Sequence, residues 1–467
     1  MSQFHDVDSL AGKQIHFIGI GGSGMSGIAR IMLSLGLHVS GSDIKESSVT
    51  ENLRTLGAEI FIGHDAKNVA DADLIVLSTA ISDSNPEKAY ARERQLPMLA
   101  RAQALAILMA GKRSVAIAGT HGKTTTTSML TVALQSAGVN PSFAIGGMIN
   151  SSGTNAYAGT GDIFVAEADE SDGSFIAYHP HGAIITNIEL DHVDHFADLE
   201  SVYAIFLEFV DSIQSGGFLV ACGDDPGVQE LLRRVTRSDL SISTYGHDSQ
   251  PGNDWQLSRI TLSAESSIAR ITHTGRVVGE LSLVVPGEHN LLNALAALAA
   301  ATSLGISESK ILDGLETFTG SKRRFELKGE VGGIRVIDDY GHHPTEIRVT
   351  LETARRSVGS GNLFVIFQPH RYSRTAAFAH EFAQALEIAD TVYLLEIYPA
   401  SEAPIPGISS LLISSQMTPE KAHYEPSMIE VVEQVVRQAK SGDLIMTLGA
   451  GDVSSLAPVI VKTLQGK

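Results

Sequence analysis

Two stretches of this chain run from a β-branched segment through glycines into a helix-forming segment, and no other feature narrows its fold as much. The first is "IHFIGIGGSGMSGIARIML", Ile15 to Leu33, and the second is "SVAIAGTHGKTTTTSML", Ser114 to Leu130. A strand that turns through glycine into a helix leaves the helix's first N–H groups unpaired and facing the turn, a ready seat for phosphate. Around both stretches, short β-branched runs alternate with helical patterns, which predicts α/β architecture with largely parallel sheets. The question is why one chain carries two such seats.

Size and charge bound the answer. The 467 residues are enough for about three domains at roughly 150 residues each. Lys and Arg number 34 against 53 Asp and Glu, a net charge of −19, so neither nucleic acid nor an anionic membrane is expected as a partner. An anionic substrate would have to be drawn in by local loops and metal ions. Cys222 is the single cysteine, which fits a reducing, cytoplasmic setting. The opening "MSQFHDVDSL" has no apolar stretch, so no signal peptide is expected. The apolar tract Leu291 to Ile306, interrupted by Asn293, Thr302 and Ser303, is shorter than a membrane span and reads as a buried alanine-rich helix.

The pattern suggests strands at "QIHFIG", "LHVSGSD", "AEIFIG" and "DLIVLST", with a helix from Ser23 to Leu35, and a helix and basic linker over Leu99 to Arg113. A second domain restarts at "SVAIAG" and changes to alternating apolar residues near Trp255, the mark of an antiparallel excursion. A third begins near "FTGSKRRFELKG". The expected boundaries are 1–111, 112–320 and 321–467.

Gly19, Gly21 and Gly24 fit G-x-G-x-x-G, with Gly22 and Ser23 inside the turn and Asp43 some 20 residues on, where a ribose hydroxyl would be met. A tight β–α turn without ligand can carry the same glycines. The second loop resembles the phosphate-binding G-x-x-x-x-G-K-[ST] pattern but is shorter, since Ile117 stands where its first glycine belongs. Its working end is complete. The amides of Gly119, Thr120, His121, Gly122, Lys123 and Thr124 can face phosphate oxygens; Lys123 supplies a cation and Thr124 a hydroxyl for Mg²⁺. Four consecutive threonines, Thr124 to Thr127, are poor helix formers that packing alone does not explain. Further on, "VAEADESDGSF" crowds Glu167, Asp169, Glu170 and Asp172, carboxylates that repel unless a cation sits among them or water screens them. "TNIELDHVDHF" adds Asp191, His192, Asp194 and His195 at another strand end, with His192 a candidate metal neighbour.

Taken in order, "GTHGKTTTT", "EADESD", "TNIELDHVDH", "PGEHNLLNALAA", "GSKRRFE", "DDYGHHPTEI", "FQPHRYSRT" and "GAGD" resemble the Mur ligases, ATP-dependent amide-forming enzymes of peptidoglycan precursor synthesis. The resemblance spans essentially the whole chain. "DDYGHHP" and "QPHRYSRT" are most similar to members that join L-alanine to UDP-N-acetylmuramate. It implies a Rossmann-like N-terminal domain for the UDP-sugar, a central P-loop-type mononucleotide-binding domain for ATP, and a Rossmann-like C-terminal domain for the amino acid. The first loop would then hold the diphosphate of the sugar nucleotide, with Asp43 and His64 toward the uridine, and the second would hold the triphosphate. By motif, Lys123, Thr124 and Thr125 handle phosphate, and Thr124, Glu167 and His192 take Mg²⁺. His289, Asn290, Asn293, Arg324 and Asp339 complete the ATP site. Tyr340, His342, Arg371 and Arg374 receive the amino acid, the arginines as a carboxylate clamp, with His342 a candidate proton acceptor. Several sister ligases use a carbamylated lysine on the metal, yet no lysine occurs here between Lys123 and Lys310. Glu396 stands where an aspartate is expected. Three other readings remain: a murein-peptide-recycling ligase of the same family, an NAD-dependent oxidoreductase using only the first loop, and a nucleotide-gated binding protein. Sequence leaves monomer and homodimer open.

Overall fold

The computed structural model describes residues 4–78, 81–171, 173–193, 195–250 and 252–466. Asp172 and Asp194, two of the acids read from the sequence, lie outside the described residues.

Three helix-covered sheets follow one another along the chain. The first contains β1 (Gln14–Ile18), β2 (His38–Asp43), β3 (Glu59–Ile62), β4 (Leu74–Leu77) and β5 (Met98–Ala100) in the order β3-β2-β1-β4-β5, all parallel. Strand order reverses at β1, so a crevice opens beyond the carboxyl ends of β1 and β4, and the first glycine turn sits there. The Ser23–Ser34 helix leaves that turn and buries Met25, Ile28, Ala29, Ile31 and Met32, one apolar face at helical spacing. Of the helix and basic linker expected over Leu99 to Arg113, the helix is Arg101–Met109; Leu99 and Ala100 before it pair with β4 as part of β5, and the basic end opens the next sheet at Arg113. A short apolar run gives no periodicity to separate strand from helix.

The second sheet has ten strands: β6 (Arg113–Ala118), β7 (Ser142–Ala144), β8 (Ala156–Tyr157), β9 (Ile163–Glu167), β10 (Gly182–Ile185), β11 (Phe218–Cys222), β12 (Ser241–His247), β13 (Trp255–Leu262), β14 (Ser267–His273) and β15 (Arg276–Leu283). β6 lies between β9 and β10, parallel to both. The second glycine turn therefore emerges between the carboxylate end of β9 and the Thr186–Asn187 corner after β10. β13 to β15 form the expected antiparallel excursion. The buried alanine-rich helix runs Glu288–Ser303, one turn earlier than the apolar tract, and packs on the Lys123–Ser136 helix.

The third sheet holds β16 (Glu326–Val331), β17 (Ile334–Asp339), β18 (Leu363–Phe367), β19 (Thr391–Leu394), β20 (Ala422–Tyr424) and β21 (Leu444–Leu448), ordered β16-β17-β21-β18-β19-β20 with only β16 antiparallel. No helix among the described residues is long and apolar enough to cross a membrane.

Candidate active site

The second glycine turn is shaped by two residues that cannot carry a side chain. Gly119 has φ +132°, and a Cβ there would stand 2.1 Å from the Thr186 hydroxyl. Gly122 has φ +81°, with the Asn293 side chain 2.8 Å from where its Cβ would be. The turn is tied to the sheet by His121 N–H donating to Asn187 Oδ1 at 2.7 Å and by Thr120 Oγ1 accepting from Glu189 N at 2.9 Å. At its mouth Lys123 Nζ donates to the carbonyls of Gly119 at 2.7 Å and Thr120 at 3.1 Å, and lies 2.9 Å from Glu170. Burial works against the lysine's charge, but Glu170 and Asp169 outweigh it and push its pKa up to about 12. Burial likewise raises the Glu170 carboxyl, against the pull of Lys123.

Thr124 and Glu167 meet as expected: the hydroxyl donates to Oε1 at 2.9 Å, while Gly146 N–H donates to Oε2 at 2.7 Å. His192 is placed differently from the sequence reading. It clusters with Asp169 and Glu170, its Nε2 3.8 Å from Glu170, and the Lys123 ammonium on Glu170 links the two groups. Oxygen donors gathered at two strand ends fit a hard divalent cation. Lys322 lines the neighbouring cleft and is paired with Glu326 at 2.9 Å.

A cleft of about 910 Å³ runs from this turn to the third sheet, lined by His121, Gly122, Thr125, Asn187, Asp224, His289, Asn290, Asn293, Arg324, Asp339 and Glu346 among others. Of the ATP residues of the sequence reading, His121, Gly122 and Thr125 of the second loop, the His289, Asn290 and Asn293 group, and Arg324 and Asp339 line it. His289 is kept neutral by burial and by Arg324, its pKa lowered to about 4. Asn290 Nδ2 donates to Pro286 O at 2.7 Å, fixing the start of its helix. Burial opposes the Arg324 charge, yet Glu346, Asp339 and Glu167 around it raise its pKa. Asp339 holds the following turn, accepting from the N–H groups of Phe325 and Gly341 at 2.8 Å each.

The amino-acid group is built around an ion pair that the sequence did not show. Arg374 is 3 % exposed, and both Nε and Nη2 donate to Asp191 Oδ1, at 3.0 and 2.7 Å, across the domain boundary. Its partner is thus a protein carboxylate at the place where a substrate carboxylate was expected. Arg371 has φ +71° and opens the Tyr372–Leu386 helix, its N–H donating to Tyr398 O at 2.8 Å. Tyr340 carries the Arg323 and Arg324 guanidiniums near its ring, 4.8 and 5.2 Å from the centroid. His342 lies 5.3 Å from the Tyr340 ring and 5.7 Å from that of His370, which contacts Arg374 at 3.2 Å. Burial first, and Arg374 second, push His342 down to about 3, so it is neutral but a weak base. The proton-acceptor role is not supported by this environment.

The first glycine turn has Gly19 at φ +79°, and Gly21 N–H donates to Asp43 Oδ2 at 2.9 Å. A Cβ on Gly24 would meet the Arg101 side chain at 2.9 Å. Arg101 was missed by sequence reasoning; its only signal was a cation at the start of a helix that follows the strand beside β1's neighbour β4. A cleft of about 280 Å³ joins Gly22, Ser23, Gly24 and Arg101 to Gly146, Glu167 and Asp169. Ser23 O also accepts from Asn155 of the second unit at 3.2 Å. Also unread were the partners across the second and third sheets: His121 stands 3.5 Å from Glu189 and 3.5 Å from Glu346, its ring 4.7 Å from His343.

Two phosphate-type turns from different sheets thus open toward shared carboxylates, an arrangement for bringing a nucleotide triphosphate to a second substrate. The chain belongs to the Mur ligase family. It matches the Mur ligase catalytic domain over residues 14–113, the Mur ligase middle domain over 117–301, and the Mur ligase glutamate ligase domain over 323–451. A protein named UDP-N-acetylmuramate–L-alanine ligase from Acidothermus cellulolyticus is 50 % identical, covering 96 % of this chain and 94 % of that protein. The crystal structure of UDP-N-acetylmuramate-alanine ligase from Thermotoga maritima is 32 % identical with a TM-score of 0.82, covering 97 % and 99 %. A murein peptide ligase from Psychrobacter arcticus is 26 % identical with a TM-score of 0.72, covering 98 % and 99 %.

Proposed function

We propose that the chain uses ATP to join L-alanine to the carboxylate of UDP-N-acetylmuramate, releasing ADP and phosphate, in peptidoglycan precursor synthesis. The observation that carries this is the smaller cleft, in which the first glycine turn and Arg101 share a wall with Glu167 and Asp169 beside the second turn. A sugar nucleotide gripped by its diphosphate at Gly19 to Gly24 has its acid end directed at the end of a triphosphate gripped at Gly119 to Thr124. Residues 1–111 then serve the sugar nucleotide, 112–320 the ATP, and 321–467 the amino acid. The chain is proposed to work in the cytoplasm.

The sugar carboxylate attacks the γ-phosphorus, giving an acyl phosphate and ADP. Two anions must approach, and Lys123, at the loop mouth, stabilises the charge spread over the transferring oxygens. Thr124 and Glu167, and in the adjoining cluster His192 with Asp169 and Glu170, would hold Mg²⁺, which supplies further positive charge to the phosphates. The neutral amine of alanine then attacks the acyl carbon and phosphate leaves. With His342 a weak base, the amine's proton passes to a phosphate oxygen or the departing phosphate. In this reading Arg374 and Arg371 take the alanine carboxylate; Asp191 holds Arg374 in place and competes with that carboxylate for it. An acyl phosphate hydrolyses readily, so the three units that contribute to the site have to close over it and exclude water.

Phosphate release with UDP-N-acetylmuramate and a panel of amino acids, with murein tripeptide included, tests this. Release with L-alanine, and little with the tripeptide, is expected. Release only with the tripeptide would move the chain to the recycling activity, and no release with any acceptor would end the ligase account.

A further inference from the structure

Behind the first glycine turn a polar cluster is sealed inside the first unit, away from the phosphate chemistry. Glu87, near the start of the Pro86–Glu93 helix, is 0 % exposed. Its Oε2 accepts from the Ser42 hydroxyl at 2.5 Å and lies 3.0 Å from His64 Nδ1. Its Oε1 accepts from Asn68 Nδ2 at 2.7 Å and from Asp65 N at 3.4 Å. A buried carboxylate needs hydrogen-bond partners on both oxygens, and these four groups supply them. The Ser42 proton is committed to Glu87, so the contact at His64 Nδ1 requires an N–H there. In the neutral ring this leaves Nε2 with the lone pair. The His64 side chain is 15 % exposed and no hydrogen bond joins its Nε2 to a described residue, whereas the fully buried His16 Nε2, 3.9 Å from the same Glu87 oxygen, has no hydrogen-bond partner.

The placement of this acceptor follows the strand ends. The glycine turn after β1 takes the diphosphate, and Asp43 at the end of β2 is where a ribose hydroxyl is met. Gly63 N–H donates to Asp43 O at 2.8 Å, which docks His64 beside it as the next group beyond the ribose. We infer that Glu87 is a positioning residue that fixes His64 as a hydrogen-bond acceptor, so that the base bound there must present an N–H: the N3–H of uracil, which cytosine lacks. A site built around one such bond discriminates against the base that leaves it unpaired. The inference rests on the assignment of the sugar nucleotide to the first turn, and it adds the reason for uridine.

Two measurements on the full chain test it. In ¹⁵N spectra of histidine-labelled protein, with the His64 signals assigned by their loss in His64→Gln, Nδ1 is expected to carry the proton; a proton on Nε2 of the neutral ring overturns the inference. By calorimetry UDP is expected to bind at least ~10-fold more tightly than CDP. Glu87→Gln, whose amide can donate to Nδ1 and reverse the tautomer, should narrow that ratio at least ~5-fold while binding of an ATP analogue stays unchanged. Equal binding of UDP and CDP, or an unaltered ratio in a folded Glu87→Gln protein, overturns the inference and leaves the ligase reading standing. If Glu87→Gln does not fold, the wild-type tautomer and ratio still decide. Binding of neither diphosphate removes the sugar-nucleotide assignment of the first turn, and the inference with it.

Discussion

Lys123 concentrates the account in one side chain. Its ammonium is held by two loop carbonyls and Glu170, so it is already at the loop mouth, in a buried, acid-lined setting that keeps it charged. Lys123→Ala is expected to lower turnover by at least ~10²-fold, as loss of other fixed charge stabilisers does; steady-state rates at saturating substrates measure it, and normal turnover would take Lys123 out of the mechanism. Arg374 makes a different prediction. Arg374→Ala should raise the KM for alanine at least ~10-fold with UDP-sugar binding little changed. It also leaves Asp191 buried without its partner, a change that costs about 3–5 kcal/mol in comparable buried pairs, so the melting temperature should fall as well. Equal weakening of both substrates would contradict the placement of Arg374.

At the scale of elements, the Lys123–Ser136 helix explains part of its threonine run: Thr124 bonds Glu167 and Thr127 bonds its own helix, while the buried Thr126 hydroxyl has no partner. Thr127, Ser128 and Thr131 each donate to the carbonyl four residues back, at 2.7, 2.7 and 2.8 Å, so their hydroxyls are satisfied inside a buried helix. Ser321 Oγ, from the chain entering the third sheet, donates to Ser128 Oγ at 3.0 Å. The turn before the helix tolerates nothing: Gly119→Ala collides with Thr186 and is expected to lower ATP-analogue affinity at least ~10-fold by calorimetry, whereas unaltered affinity would show that the turn does not shape the nucleotide seat. Strands such as β1, β6, β17 and β18 were legible because they are continuous β-branched runs beside turn residues. β5, β7, β8 and β20, of two or three residues, were not, because so few residues carry no period. The same limit explains the site. Glycine turns and carboxylate runs are local and could be read, while Asp191 with Arg374, or His121 with Glu346, lie 183 and 225 residues apart and meet only through packing. Arg101 and Glu87 were invisible for that reason too.

For the whole molecule, the second and third units meet at His121. Burial would lower its pKa, but Glu189 on one side and Glu346 on the other outweigh this and lift it from 6.5 to about 9, with the His343 ring tilted against it and Arg324 also on Glu346. A raised value means the docking contribution is full below about pH 6.5 and is lost as pH rises through about 9. Small-angle scattering should therefore show looser packing of the third unit above that pH, and His121→Asn should abolish the step; a pH-independent profile would contradict the contact. Closure on binding is a separate expectation, since the site draws on all three units: ATP analogue and UDP-N-acetylmuramate together should reduce the radius of gyration. The most direct measurement is a crystal structure of the chain with both ligands. The account predicts the triphosphate at Gly119 to Thr124 and the sugar diphosphate at Gly19 to Gly24, with the sugar acid facing the γ-phosphate. A triphosphate lodged at Gly19 to Gly24 with the Gly119 turn empty would contradict it.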